Sequence, residues 1–108
     1  MSKATFIQDE TEFNQLLETA SFMVVDCTAE WCGPCKLVAP FIDRLSVEYG
    51  DRVKVMKLDL PSHHDLAGKF EITSIPAILF FKQGELVETL VGVHPYEKFS
   101  ATLNQLLA

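Results

Sequence analysis

One stretch of the chain decides the fold, Trp31-Cys32-Gly33-Pro34-Cys35-Lys36. It follows an apolar run at 22–25 and opens a segment of helical periodicity, so the two cysteines lie at a strand-to-helix turn. The first turn of a helix has unpaired N–H groups and about half a positive charge, which favours a thiolate over a thiol. Cys32 is therefore the predicted nucleophile. A Cys32–Cys35 disulfide closes so short a loop that it adds only about 2 kcal/mol of stability, which suits exchange better than stapling.

The composition predicts a single domain covering residues 1–108. With 48% apolar residues, a chain of 108 residues buries about two-thirds of its unfolded surface around one core. The N-terminus carries no apolar signal segment, and no apolar run approaches the roughly 18 residues that span a bilayer. We therefore expect a soluble cytoplasmic protein, or one of an organelle stroma or matrix if a targeting segment has been removed.

Cysteine usage and net charge restrict the compartment and the partners. Three cysteines, an odd number with one close pair, suit a reducing compartment and a working dithiol rather than a disulfide scaffold. The formal charge of −6 argues against nucleic acid and anionic membranes as partners.

Hydrophobic periodicity predicts the element order β-α-β-α-β-α-β-β-α. Strands are predicted at 4–7, 22–27, 53–59, 77–81 and 85–91, and helices at 10–19, 33–49, 62–70 and from 95 to about 106. Capping-box spacings predict helix starts at Asp9 with Glu12 and at Ser62 with Asp65. Pro95 is predicted in the first turn of the last helix. Alternating units require parallel strands and the last two strands form a hairpin, so a mixed sheet flanked by helices is expected.

A Cys-x-x-Cys pair is typical of either half a metal site or a redox dithiol. Structural zinc needs four ligands, and the other candidates, Cys27, His63, His64 and His94, are not at metal-finger spacing from the pair. A glycine and a proline between the cysteines, within a βαβ setting, favour the redox dithiol.

The chain resembles the thioredoxins over essentially its whole length. The resemblance rests on these motifs: Val25-Asp26, the stretch at 31–36, Ala39-Pro40, Lys57, Ile75-Pro76, the stretch at 81–84, and Val91-Gly92. It implies an α/β three-layer sandwich with a central mixed five-stranded sheet flanked by four helices. It also implies a monomeric protein disulfide reductase with no bound cofactor beyond the redox-active Cys32–Cys35 disulfide.

The resemblance implies two kinds of protein partner. One is disulfide-containing client proteins, and the other is a thioredoxin reductase, either an NADPH flavoprotein or a ferredoxin-dependent enzyme. In the implied reaction Cys32 attacks the client disulfide and Cys35 resolves the mixed disulfide.

Two charged residues fall inside predicted strands. Asp26 shares a strand face with apolar residues two and four positions earlier, and Lys57 is in register with valines of its own strand. A mutually neutralising pair across neighbouring strands would explain both charges. On the residues alone, both could instead end their strands in water. The resemblance favours burial, with Asp26 as the proton acceptor for Cys35 and Lys57 as its catalytic partner.

The resemblance also implies a client-binding surface. Pro76 would form a cis peptide facing the dithiol, with Ile75 offering its backbone to an extended client. The flat apolar surface would consist of Trp31, Gly33, Pro34, Ile75, Val91, Gly92 and Val93. On the residues alone, Trp31 could be an ordinary core residue and Pro76 an ordinary loop terminator.

Three positions depart from the family pattern. Cys27-Thr28 replaces a common Phe-Trp, so an aromatic that supports the active-site loop is missing, and Pro61 replaces a frequent acidic residue. Cys27 is predicted to be a buried small hydrophobe on the strand face opposite to Asp26, with a regulatory thiol as the alternative.

Two other functions stay open on the sequence. One is a redox-inactive binding subunit of the same fold, but the presence of both cysteines argues against it. The other is a dithiol oxidase or isomerase, but the Gly-Pro pair between the cysteines argues against it.

Overall fold

The computed structural model describes residues 4–108 and has the predicted element order. The strands are β1 (Thr5–Phe6), β2 (Phe22–Thr28), β3 (Lys54–Asp59), β4 (Ala77–Lys82) and β5 (Glu85–Val91). The helices are α1 (Glu10–Thr19), α2 (Gly33–Tyr49), α3 (His64–Lys69) and α4 (Tyr96–Leu107), with a 3-10 turn at Leu60–Ser62. The predicted fold class is confirmed.

The five strands form one mixed sheet in the order β1-β3-β2-β4-β5. β1, β3 and β2 run parallel, while β4 and β5 are antiparallel to their neighbours. The parallel pairs need crossover helices, whereas β4 and β5 are joined by a tight turn. At that turn Gln83 has φ 53° and Gly84 has φ 80°, the pair of positive values that a type I′ hairpin requires.

Each face of the sheet is covered by two helices. Successive side chains of a strand point to opposite faces, so β2 serves two separate cores. Val24 packs with residues of α2 and α4 such as Ile42 and Phe99, whereas Val25 packs with residues of α1 and α3 such as Phe13 and Leu66. We refer to these as the α2/α4 face and the α1/α3 face.

The predicted helix starts agree with the structure only in part. Asp9 caps α1, since its Oδ1 accepts from the Glu12 N–H at 2.8 Å. The capping box at Ser62 is wrong: α3 has His63 as its N-cap, and the Ser62 hydroxyl donates to Asp59 Oδ2 instead. That bond holds Ser62 inside the 3-10 turn.

The last helix also begins later than predicted. Pro95 is its N-cap, with extended backbone, rather than a member of its first turn.

No helix within residues 4–108 has both the length and the apolar character needed to cross a membrane.

Candidate active site

The two cysteines of the central motif form a disulfide at the start of α2. Cys32 is the N-cap and Cys35 lies one turn on, with 5.3 Å between their Cα atoms. The Cys32 Sγ accepts from the Cys35 backbone N–H at 3.2 Å. Pro34 stands in the first turn, where a missing N–H leaves no helical bond unmade. The helix terminus thus directs at the Cys32 sulfur a backbone N–H that has no carbonyl partner within the helix, together with the positive end of the helix dipole.

The loop before β4 packs against the disulfide. The Ile75–Pro76 peptide bond is cis, as the resemblance implied. Ile75 is half-buried and packs on a small apolar cluster formed by Ala29 and the two cysteines. The Pro76 carbonyl accepts from the Gly92 N–H at 2.8 Å, which fixes the end of β5 beside this loop. Residues far apart in sequence therefore meet at the dithiol.

The surface around the dithiol is apolar and open. Trp31 is 77% exposed, so a core role for it is excluded, and Val91 and Val93 are about half exposed. Gly33 and Pro34 are exposed, Ile75 and Gly92 are half-buried, and Pro76 is buried. Seven of the eight residues predicted for client contact thus retain accessible surface.

A groove that the sequence did not reveal adjoins this surface. It has a volume of about 370 Å³, and its lining includes Trp31 and Ile75 together with Leu60, Ala67 and Ile72. These three residues come from the 3-10 turn, from α3 and from the loop after it. No local pattern marks them, because only the packing of α3 brings them beside the dithiol.

Asp26 is a buried carboxyl on the α2/α4 face. It is 1% exposed, and its Oδ1 has no hydrogen-bond partner among residues 4–108. Burial raises the pKa of Asp26 from its ordinary value of 3.8 to about 7, with Lys57 opposing the rise and Asp43 adding to it. The alternative that Asp26 ends its strand in water is therefore wrong. A carboxyl with this pKa changes its protonation state near neutral pH.

The predicted direct pairing of Asp26 with Lys57 needs correction. The two residues are cross-strand neighbours in the β2–β3 register, as expected. Within the described part of the chain, however, the ion pair of the Lys57 ammonium group is with Asp43 of α2, at 3.5 Å from Nζ to Oδ1. The strand register brought the lysine and Asp26 together, but the helix above supplies a competing carboxylate.

Cys27 and Thr28 behave differently although they are adjacent. Cys27 is fully buried on the α1/α3 face, and desolvation, with Asp26 nearby, raises the pKa of its thiol to about 12. It is the predicted buried hydrophobe. Thr28 is half-buried and borders a depression of about 560 Å³ shared with Phe6, Ala29 and Lys36, among others. The space that a larger side chain would occupy at Thr28 is open.

Between residues 4 and 108, no three His, Cys, Asp or Glu side chains are grouped so as to hold a metal ion. The chemistry that the site offers comes from its sulfurs and from a carboxyl that titrates near neutrality. A strand-helix turn that presents one sulfur to an apolar surface, and buries the other under the same helix as that carboxyl, defines a thiol–disulfide oxidoreductase.

Comparison with known proteins gives the family. The thioredoxin family model matches residues 4–105. Thioredoxin 1 of Synechococcus elongatus is 38% identical over 107 residues, covering 99% of this chain and all of that protein. The Bacillus subtilis thioredoxin is 43% identical over 91 residues, which are 83% of this chain and 88% of that one. The crystal structure of Malassezia sympodialis thioredoxin superposes with a TM-score of 0.89 at 31% identity, covering 100% of this chain and 96% of the other.

The chain belongs to the thioredoxin family. It is a thiol–disulfide oxidoreductase that acts on disulfide-containing proteins through its own cysteine pair, without an external cofactor.

Proposed function

We propose that Cys32 attacks the client disulfide and Cys35 resolves the resulting intermediate. Cys32 is 6% exposed and Cys35 only 2%, and the sulfur of Cys32 receives the backbone hydrogen bond at the helix terminus. The Cys32 thiolate forms a bond to one client sulfur and expels the other as a thiolate. The Cys35 thiolate then attacks the Cys32 sulfur, which releases the second client thiolate and leaves the Cys32–Cys35 disulfide. Two electrons pass to the client.

Asp26 accepts the proton that Cys35 loses before the second attack. The observation that carries this role is a titratable carboxyl, fully buried on the face of the sheet that α2 covers. With a pKa of about 7, Asp26 is a stronger base than an exposed aspartate and is still partly ionised at neutral pH. Lys57, across the strand from Asp26, limits the rise of its pKa and so keeps the carboxylate form accessible.

Client chains bind on the apolar surface that surrounds Cys32. The Ile75 backbone lies in the loop beside the disulfide, and an extended client segment pairs with it as an added strand would. Trp31, Gly33, Pro34, Pro76, Val91, Gly92 and Val93 complete the contact surface. Backbone pairing next to a flat apolar surface places few demands on client side chains, which fits a reductase with many clients.

The order of attack is tested by trapping. Cys35→Ser keeps the attacking thiolate and removes the resolving one, so it should accumulate mixed disulfides with client proteins on a non-reducing gel. Peptide mapping should place every client cysteine on Cys32. Cys32→Ser is the matched control and should trap nothing. Clients joined to Cys35 in that control would reverse the two roles.

Electrons for the next cycle come from a thioredoxin reductase, of either the NADPH flavoprotein or the ferredoxin-dependent type. Reduction of the purified oxidised protein by each donor, followed through the fluorescence of Trp31, the sole tryptophan, distinguishes them. If neither donor reduced the protein, the proposal of a thioredoxin reductase as its partner would be contradicted.

The protein acts as a monomer of one domain in the cytoplasm or in an organelle stroma or matrix. Both cores share the strands of a single sheet, so neither forms a separate unit. Denaturant unfolding should therefore be one transition, coincident by fluorescence and circular dichroism. Two separated transitions would contradict a single domain, and a dimer in sedimentation would contradict the monomer.

A further inference from the structure

Two carboxyl groups lie near the Lys57 ammonium group and could pair with it. Asp26 is its direct cross-strand neighbour on β2, and Asp43 approaches from α2. The lysine side chain is 16% exposed and that of Asp43 30% exposed, whereas Asp26 is 1% exposed. The observed pair with Asp43, at 3.5 Å, forms no hydrogen bond and is therefore a loose one. Lys57 is thus held toward the edge of the core by a contact that a small movement can break.

Which carboxyl group pairs with Lys57 determines how readily Asp26 ionises. A buried carboxylate is costly unless an opposite charge or hydrogen-bond donors compensate it. Among residues 4–108, no donor reaches the Asp26 Oδ1. If Lys57 turned to Asp26, an opposite charge in contact would stabilise the carboxylate and weaken Asp26 as a base. Asp43 therefore affects Asp26 in two ways, by engaging the lysine and by its own negative charge.

We propose that Asp43 is a positioning residue for the dithiol reaction, whose carboxylate holds Lys57 off Asp26 and so keeps Asp26 a base strong enough to take the Cys35 proton. This inference rests on the proposed role of Asp26 as proton acceptor. It adds the Asp43 carboxylate to the Asp26–Lys57 pair that the sequence indicated. Asp43 itself exchanges no proton with the sulfurs.

The groups that face Asp26 are few. β3 contributes Lys57 and α2 contributes Asp43, and the charges of both act on Asp26. β4 places apolar Ile78 opposite Asp26, and α4 contributes Phe99 to this core. Two tyrosines also belong to it, Tyr49 of α2 and Tyr96 of α4, and their hydroxyls donate to Asn104 and Glu48. Cys27, next in the chain, points to the other face with a thiol that burial keeps protonated at neutral pH. Within residues 4–108, removing the charge of Asp43 thus leaves Lys57 as the charged side chain that acts on Asp26.

The test is a titration of the Asp26 carboxyl in the full-length oxidised protein, followed by the carboxyl carbon NMR shift. Asp43→Asn should lower the Asp26 pKa by about 1 unit, since it both frees Lys57 and removes a like charge. Asp43→Glu should restore the wild-type titration. Glu48→Gln removes one negative charge from the same helix at an exposed site and should move the titration by no more than about 0.2 units, because that charge is screened by solvent. Asp43→Ala serves as a second variant with the same expected direction.

The background variant Lys57→Met separates the two contributions of Asp43. If Asp43 acts by engaging the lysine, Asp43→Asn should shift the Asp26 titration less than half as far in Lys57→Met as in the wild type. An equal shift in both backgrounds would leave only direct repulsion and would overturn the proposal. The proposal would also be overturned if Asp26 titrated near neutrality in the wild type and Asp43→Asn did not lower its pKa. Titration of wild-type Asp26 near its ordinary value would instead remove the acceptor role itself.

Discussion

The two faces of the sheet are formed by the same strands, yet they bury different chemistry. On β2, Cys27 points to the α1/α3 face and Asp26 to the α2/α4 face, and burial raises the pKa of both. The Cys27 thiol reaches about 12 and stays protonated, because its surroundings are apolar and the nearby Asp26 carboxyl opposes the thiolate. Asp26 reaches only about 7, because Lys57 limits the rise. Burial next to a like charge keeps a group protonated at neutral pH, whereas burial next to an opposite charge allows it to titrate near neutrality.

The largest expected difference between the faces is in activity. Cys32→Ser should abolish the dithiothreitol-driven reduction of insulin disulfides, a loss of at least about 100-fold, because the attacking thiolate is gone. Cys27→Ser removes a cysteine from the other face and should leave the specific activity of the folded protein within about twofold. The turbidity of precipitating insulin chains measures both. If Cys32→Ser remained active, or if Cys27→Ser lost activity, the assignment of Cys32 as the attacking sulfur would be contradicted.

A substitution in the apolar face should change stability alone. Phe13 is fully buried and makes edge-to-face contacts with Phe70 and Phe81 at centroid distances of 5.6 and 5.9 Å. Phe13→Ala should cost about 3–5 kcal/mol in the free energy of unfolding, measured by urea denaturation. The pH profile of insulin reduction should keep its wild-type midpoint. A displaced midpoint would show that the two faces are coupled; Phe13→Leu allows the same comparison if the alanine variant does not fold.

Asp26→Ala should have the opposite effect on stability, and the effect should depend on pH. The folded pKa of about 7 lies above the ordinary value of 3.8, so the native state binds more protons between those values. The contribution of Asp26 to stability is complete below pH 4, falls as the pH rises from about 4 through the folded pKa of about 7, and stays lower above it, by about 4 kcal/mol at most. The variant escapes this loss but leaves a small cavity, so we expect a net gain of about 1–3 kcal/mol at pH 8 and none at pH 4.

Urea midpoints of the oxidised protein and of Asp26→Ala, measured at both pH values, test this expectation. The Lys57 ion pair in the wild type is with Asp43, so we expect the variant not to leave Lys57 unpaired. A variant that is less stable than the wild type at pH 8 would mean that ionised Asp26 is well compensated in the folded protein.

The smallest expected effect concerns Thr28 at the end of β2. A depression of about 560 Å³ beside this residue offers room for an indole ring. Thr28→Trp should raise the free energy of unfolding by about 1 kcal/mol, because a newly covered aromatic adds apolar burial without strain. The denaturant midpoint measures it, with Thr28→Val as a control for loss of the hydroxyl. An unchanged or lower midpoint would show that the ring does not settle in this space.

The parts of the structure that follow from local patterns were predictable. Period-two alternation along β2 placed Asp26 and Cys27 on opposite faces, and the dithiol spacing placed both sulfurs at a helix start. The partner of Lys57 was not predictable, because it depends on how α2 is rotated over the sheet. The start of α3 was missed because Ser62 bonds to Asp59 in a 3-10 turn instead of capping the helix. The groove at Leu60 and Ile72 needs the packed position of α3.

The proton transfer on the α2/α4 face is tested most directly by the decay of the mixed disulfide as a function of pH. Pre-reduced protein is mixed with saturating client, samples are quenched with acid, and the Cys32–client species is counted by mass spectrometry. In the wild type the decay rate should rise through a midpoint near pH 7, the pKa of Asp26. Asp26→Asn should lack that rise and resolve about 100-fold more slowly, which is typical for loss of a general base. The same midpoint and rate in both proteins would contradict the role of Asp26 as the proton acceptor.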